Sequence, residues 1–195
     1  MKKVIVALAL LVGAASVSAQ EWKLDKSHSS VNFTITHMMV SEVQGNFKDF
    51  SANITSSKED FSDLNIDFTI MAGSINTADD KRDEHLRGDD FFSVDKFPKI
   101  TFKSTDVKKL SDKKFAVTGD LTIKGITKKV TWDVKYNGKI ADGRGGVKAG
   151  FKANYTINRK DFNITYNHVL DAGGVALSDE VEVVVNVELN KVMTK

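Results

Sequence analysis

Apolar and polar residues alternate with a period of two along most of this chain, which is the signature of half-buried β-strands. Val31, Phe33 and Ile35 share one face, with Asn32, Thr34 and Thr36 on the other. The pattern recurs in Leu64, Ile66, Phe68 and Ile70, in Ile100 and Phe102, and in Phe115, Val117, Gly119 and Leu121. It recurs again in Val130, Trp132, Val134 and Tyr136. The longest runs are Val147, Ala149, Phe151, Ala153, Tyr155, Ile157 and Val181, Val183, Val185, Val187, Leu189. Between Phe47 and the set Phe50, Ala52, Ile54 the parity slips, which predicts a bulge and a sharp bend. About eight strands result, several of about ten residues or more, with turns at Asn137-Gly138 and in the glycine cluster at 143–146.

Long antiparallel strands with one wet face must hide the dry one. A closed barrel does so and also removes exposed edges; a two-sheet sandwich is the competitor. Eight long strands are more than a sandwich of this length needs, and the barrel is favoured.

One stretch interrupts the alternation: Arg82 to Phe102, RDEHLRGDDFFSVDKFPKITF. It holds two of four arginines, one of four histidines, four of twelve phenylalanines and the single proline. A short helical insertion is predicted around residues 78–92. Thr77 is the expected N-cap, Asp79 and Asp80 suit its positive end, and Gly88 stops it. A further turn at Asp89–Phe92 leads to Pro98 and the next strand. Such a knot in a β pattern predicts a cap over one end of the barrel.

The first residues predict an address. Lys2 and Lys3 precede the apolar run Val4–Val12, and Val17-Ser18-Ala19 offers a small-residue cleavage site. This reads as a signal peptide over 1–19, its core too short for the roughly 20 apolar residues of a membrane span. A periplasmic or secreted protein without stable membrane insertion is expected. With no cysteine in the chain, a lipid anchor on cysteine, disulfides and thiolate chemistry all fall away.

Removing Lys2 and Lys3 from the 28 basic residues leaves 26, matched by 26 acidic ones. Nucleic-acid binders carry a basic excess, so no nucleic-acid partner is expected. Oligomeric state stays open, with a homodimer as one alternative.

No nucleophile elbow, HExxH motif or phosphate-binding loop is present. Zinc would require His28, His37, His85 and His168 to converge, with Asp83 or Asp25; the favoured reading is that each histidine donates a hydrogen bond or lines a rim. No catalytic residue, metal or cofactor is assigned. The competing reading is an enzyme acting on a lipid headgroup through His37 or His85 with Asp83 as acid and base.

Phenylalanines on the apolar parities of different strands suit a pocket; the alternative is that they fill the interior of a barrel that acts only as a surface interaction module. The apolar ligand-binding candidates are Phe33, Ile35, Phe47, Phe68, Ile70, Phe91, Phe92, Phe102 and Phe151. The headgroup candidates are His37, at the end of an inward face, and Arg82, His85 and Arg159. For Arg82 and Arg87 the favoured reading is structural pairing with Asp83, Glu84, Asp89 or Asp90, and the alternative is an anion-recognising rim. Burying about ten methylenes at roughly 0.8 kcal/mol each gives about 8 kcal/mol gross, about micromolar before association costs.

The motifs also resemble a known family. Asp25-x-x-His28-Ser29, Val31-x-Phe33-x-Ile35-x-His37 and Gly45-x-Phe47 are similar to the opening of the YceI-like family of exported polyisoprenoid-binding proteins. The similarity continues through Arg82-Asp83-x-His85-Leu86, Asp90-Phe91-Phe92 and Phe97-Pro98-x-Ile100-x-Phe102-x-Ser104. It then takes in Gly119-x-Leu121-Thr122-Ile123-x-Gly125-x-Thr127, Arg159-x-Asp161-Phe162 and Val181 to Glu188, and so covers residues 20–195 in order. The resemblance implies an all-β, lipocalin-like eight-stranded antiparallel β-barrel. It further implies a lipid-binding domain whose apolar tunnel holds an isoprenoid-type amphiphile, such as a polyprenyl diphosphate or a quinone. Asn163 stands where such proteins often have glycine.

Overall fold

The computed structural model describes residues 19–170 and 173–193. The expected signal peptide, apart from Ala19, lies outside the described residues. Eleven strand segments form one sheet: β1 (Gln20–Leu24), β2 (Ser30–His37), β3 (Ser41–Phe47), β4 (Phe50–Ser56), β5 (Asn65–Met71), β6 (Ile75–Asn76), β7 (Lys99–Ser111), β8 (Lys114–Ile123), β9 (Ile126–Ala141), β10 (Val147–Asn158) and β11 (Leu177–Lys191). Among the described residues there is one α-helix, α1 (Asp80–Arg87), which follows β6.

The eleven segments act as eight strands. β1 and β2 lie end to end along β11, β1 opposite Leu189–Lys191 and β2 opposite the segment from Leu177 to Asn186. β4 and β3 follow them in the same way, and then β5 and β6. Pairing of β1 with β11 closes the eight-stranded antiparallel barrel.

The three breaks sit side by side and bond one another. Asp25 caps a 3-10 turn by accepting from Ser27 N at 3.1 Å. Lys48 N donates to Ser74 O at 3.1 Å, and Met71 N donates to Asp49 O at 2.9 Å. The parity slip between Phe47 and Phe50 is this bend: Lys48 and Asp49 leave the ladder, and both phenylalanines remain buried.

Each end of the barrel is plugged. At one end the loop 57–64 folds Phe61 inward to 1% exposure, against Trp22, Tyr136 and Phe151 at ring distances of 5.1, 5.3 and 5.1 Å. Four donors, Ser56 Oγ, Ser57 Oγ, Ser57 N and Lys58 N, hold the loop to the Asp63 carboxylate. At the other end α1 and residues 88–98 lie over the opening, because β6 does not pair with β7 and leaves a gap there.

Two local expectations are corrected. The N-cap of α1 is Asp79, which accepts from Arg82 N at 3.0 Å, whereas Thr77 is committed to Asp83. Asn137-Gly138 is no turn: β9 runs through it, with Gly138 opposite Gly150 and Tyr136 opposite Phe151, so Asn137 is an extra residue in a bulge. Gly138 supplies the φ of +127° found there, which side-chain-bearing residues avoid. The chain reverses instead at Asp142–Gly146, where Asp142 N donates to Gly146 O.

Candidate functional site: an apolar cavity inside the barrel

Alternation points one face of every strand inward, and those faces enclose a cavity of about 240 Å³. Phe33 and Ile35 reach it from β2, Phe47 from β3, Phe68 and Ile70 from β5, Phe102 from β7 and Phe151 from β10. Phe91 and Phe92 reach it from the cap, so all nine apolar positions named from the sequence line one space. Phe92 meets Phe47 edge-on at 5.9 Å, and Phe47 meets Phe33 at 5.7 Å, which joins the cap to the barrel wall. The pattern did not single out Leu86, Phe162 and Ile164, which also line the cavity. They come from the helix and from the irregular segment after β10, where period two gives no signal.

The four polar candidates separate. His37 ends β2 opposite Ser41 and Leu177 and does not line the cavity. Arg82 is half-buried and turned toward the start of its own helix: Nε donates to Thr77 Oγ1 at 2.7 Å and Nη2 to Thr77 O at 2.8 Å. Its structural partner is therefore a threonine rather than the expected carboxylate. Arg87 forms no ion pair with an acidic neighbour among the described residues.

His85 packs on the outer side of the cap, its side chain 46% exposed, with Nε2 at 2.8 Å from Asp90 Oδ2. Its ring meets Phe91 and Tyr166 edge-on. Asp83 is buried and accepts from Thr77 N and Oγ1, so the paired histidine and Asp83 of the enzyme reading engage different partners.

Only Arg159 lines the cavity. It opens a 3-10 turn, Arg159–Phe162, that Asn158 caps by accepting from Lys160 N. Asn163 closes the turn at φ 55°, a left-handed conformation that glycine takes freely and asparagine takes best among side-chain-bearing residues.

Arg159 is 4% exposed. Nε donates to Ser178 O, and Nη1 to Ile164 O and Tyr166 O, each at 2.8 Å. Nη2 has no hydrogen-bond partner among the described residues and stands 3.7 Å from Asp179 Oδ1, which Lys160 also engages at 2.9 Å. Burial pushes the guanidinium pKa down against Asp179, but a guanidinium stays charged in proteins. A buried positive charge with an N–H to spare, on a residue that lines an apolar space, suits an electron-rich headgroup.

A second polar group stands apart from the cavity. Asp25, His28 and Glu188 bring three metal-ligand types together. Lys148 Nζ, however, lies 2.5 Å from Glu188 and 3.3 Å from Asp25, and supplies the positive charge there. Hydrogen bonds from Ser27, His28 and Lys148 hold the Asp25 carboxyl well below the usual range. This network locks the bend between β1 and β2 onto β10 and β11. Of the zinc candidates, only His28 and Asp25 meet.

A family model described as the YceI-like domain matches residues 22–189. The chain belongs to this family. Protein YceI of Salmonella newport is 42% identical over 181 residues, spanning 92% of this chain and 91% of the relative. The YceI structure from Campylobacter jejuni superposes with a TM-score of 0.71 at 35% identity, covering 81% of this chain and 90% of that one. A polyisoprenoid binding domain from Saccharophagus degradans shares the fold at a TM-score of 0.67 and 14% identity, over 88% and 98% of the two chains. The lipocalin-like barrel that the motifs imply is thus the fold of this YceI-like domain.

Proposed function

We propose that this YceI-like protein is exported after cleavage of residues 1–19 and carries or sequesters an isoprenoid-type amphiphile, such as a polyprenyl diphosphate or a quinone, without catalysing its conversion. The carrying observation is the cavity inside the barrel, lined almost wholly by apolar side chains, with Arg159 at one edge. The naming of the Saccharophagus degradans domain as polyisoprenoid-binding supports the same reading. The tail lies among the inward phenylalanines, and the headgroup meets Arg159.

At about 240 Å³ the space falls just below ordinary ligand pockets of about 300–1,000 Å³. A long chain therefore displaces Phe91 and Phe92 and lifts the cap as it enters.

The test is purification from the native host without detergent, organic extraction and lipid mass spectrometry. A stoichiometric prenyl lipid is expected. Repeated recovery without lipid, together with no binding of prenyl phosphates or quinones, would sink the proposal.

A further inference from the structure

Trp132 stands on the inward parity of β9 and is buried, and its ring lines the cavity. The ring leans on Phe102 at 6.0 Å and on Tyr155 at 5.4 Å. Its Nε1–H has no acceptor among the described residues. An indole N–H is a donor only, and leaving one unpaired away from water costs as much as a lost hydrogen bond or more. The aromatic faces beside it are weak acceptors at best. Buried tryptophans normally find a partner for this group.

The other polar positions around the cavity do not supply one. Asn32 and Thr101 lie on the outward parities of their strands, and the Asn32 amide donates to Ser30 Oγ at 2.9 Å. Arg159 is itself a donor. It lies four residues beyond Tyr155 along the chain, about 13 Å at the rise of a strand.

We infer that Trp132 Nε1–H is a specificity-determining donor inside the barrel, taking a neutral carbonyl or ether oxygen carried within the apolar body of the ligand. Neutrality follows from the surroundings: an anion this deep among phenylalanines would carry an uncompensated desolvation cost. The inference rests on the lipid-binding reading above and adds to it a second polar point, distinct from the headgroup contact at Arg159. A pure hydrocarbon chain would fill the cavity and leave the indole unpaired; a chain with a ketone, ester or amide oxygen at that depth would satisfy it.

The probes are geranylacetone, an isoprenoid ketone, and its deoxygenated hydrocarbon analogue, titrated into the full-length mature chain. Trp22 and Trp132 are the two tryptophans, so the indole N–H resonances can be assigned by loss of one peak in Trp132→Phe. The expected result is that the Trp132 indole proton moves downfield with the ketone and not with the hydrocarbon. Trp132→Phe, which keeps the aromatic bulk, should lower ketone affinity about tenfold and leave hydrocarbon affinity unchanged.

Ketone bound with the Trp132 resonance unmoved, or equal losses for both probes, would overturn the inference while leaving lipid binding intact. Failure of both probes to bind the unaltered chain would remove the lipid-binding reading and this one together. The resonance measurement on the unaltered chain decides the matter even if Trp132→Phe folds poorly.

Discussion

Thr77 and Asp83 are joined twice, by Thr77 N and by Thr77 Oγ1, at 2.8 and 2.6 Å from the same carboxylate oxygen. Both residues are buried, and Arg82 completes the unit by donating to the threonine. This fixes α1 to the end of β6. Asp83→Ala leaves two buried donors unpaired and is expected to cost about 2–3 kcal/mol, a fall in Tm of roughly 5–10 °C. Thermal unfolding followed by circular dichroism checks it; a shift of less than a degree or so would mean that the cap is held by its phenylalanines alone.

Lys124 latches the cap from the opposite side. Its Nζ donates to Asp89 O at 3.0 Å and to Asn163 O at 3.2 Å, bridging the cap loop and the turn that carries Arg159. Burial pushes its pKa down, against the nearby Asp89 and Asp90. Lys124→Met is expected to change stability by about 1 kcal/mol or less and to raise the uptake rate of a fluorescent prenyl probe several-fold by stopped flow. An unchanged rate would mean that loading does not require the cap to lift.

Phe61 closes the far end of the barrel against Trp22, Tyr136 and Phe151. Phe61→Ala should cost about 3–5 kcal/mol and let an environment-sensitive naphthalene dye reach the interior. Stability loss without dye binding would indicate that the loop collapses into the space.

The same loop carries an acid-sensitive fastening. Burial pushes the Asp63 carboxyl up, but hydrogen bonds from Ser56, Ser57 and Lys58 outweigh it and bring the pKa down to about 2, from 3.8. A carboxyl depressed in the folded state contributes stability above its unfolded pKa and loses it as pH falls through the folded one. Up to about 2 kcal/mol is therefore lost between roughly pH 4 and pH 2. Denaturant titrations across that range should show the slope in the unaltered protein and a weaker one in Asp63→Asn.

Gly119 lies on the inward parity of β8 beneath Phe102. An added Cβ would stand 2.4 Å from Lys103 O and 2.5 Å from Phe102 Cζ. Backbone cannot yield, so Gly119→Ala should cost about 1–3 kcal/mol and tilt Phe102 into the cavity. Gly73→Ala, with nothing within 4 Å of its Cβ, is the control and should melt unchanged. Equal melting of both variants would contradict the packing described.

Much of this molecule is legible in its sequence, for a physical reason. A strand wet on one face writes its orientation directly into alternate residues, so Phe33, Phe68, Phe102 and Phe151 could be placed on inner faces before any contact was known. Side-chain partners are not written that way. Arg82 sits among four acidic residues in sequence, yet it turns back to Thr77, because the helix geometry brings that threonine to it. Asn137-Gly138 has turn chemistry, and a bulge uses the same positive φ as a turn. Trp132 was legible as an inward apolar ring, whereas the unpaired state of its N–H depends on what seven other strands fail to offer. Among the headgroup candidates only Arg159 reaches the cavity, and its position depends on an irregular turn that periodicity does not describe.

The seam where β1 meets β11 has a temporal consequence. Trp22 pairs with Lys191 and Leu24 with Leu189, so the first strand of the barrel finds one of its two neighbours only when the last has been made. Pairings this distant pay the cost of ordering the intervening chain before they return anything, which slows folding. A chain emerging N-terminus first thus keeps Trp22 without its β11 partner through nearly its whole synthesis. Its greasy inner faces stay available to a holding chaperone until the final fifteen-residue strand arrives and shuts the cylinder.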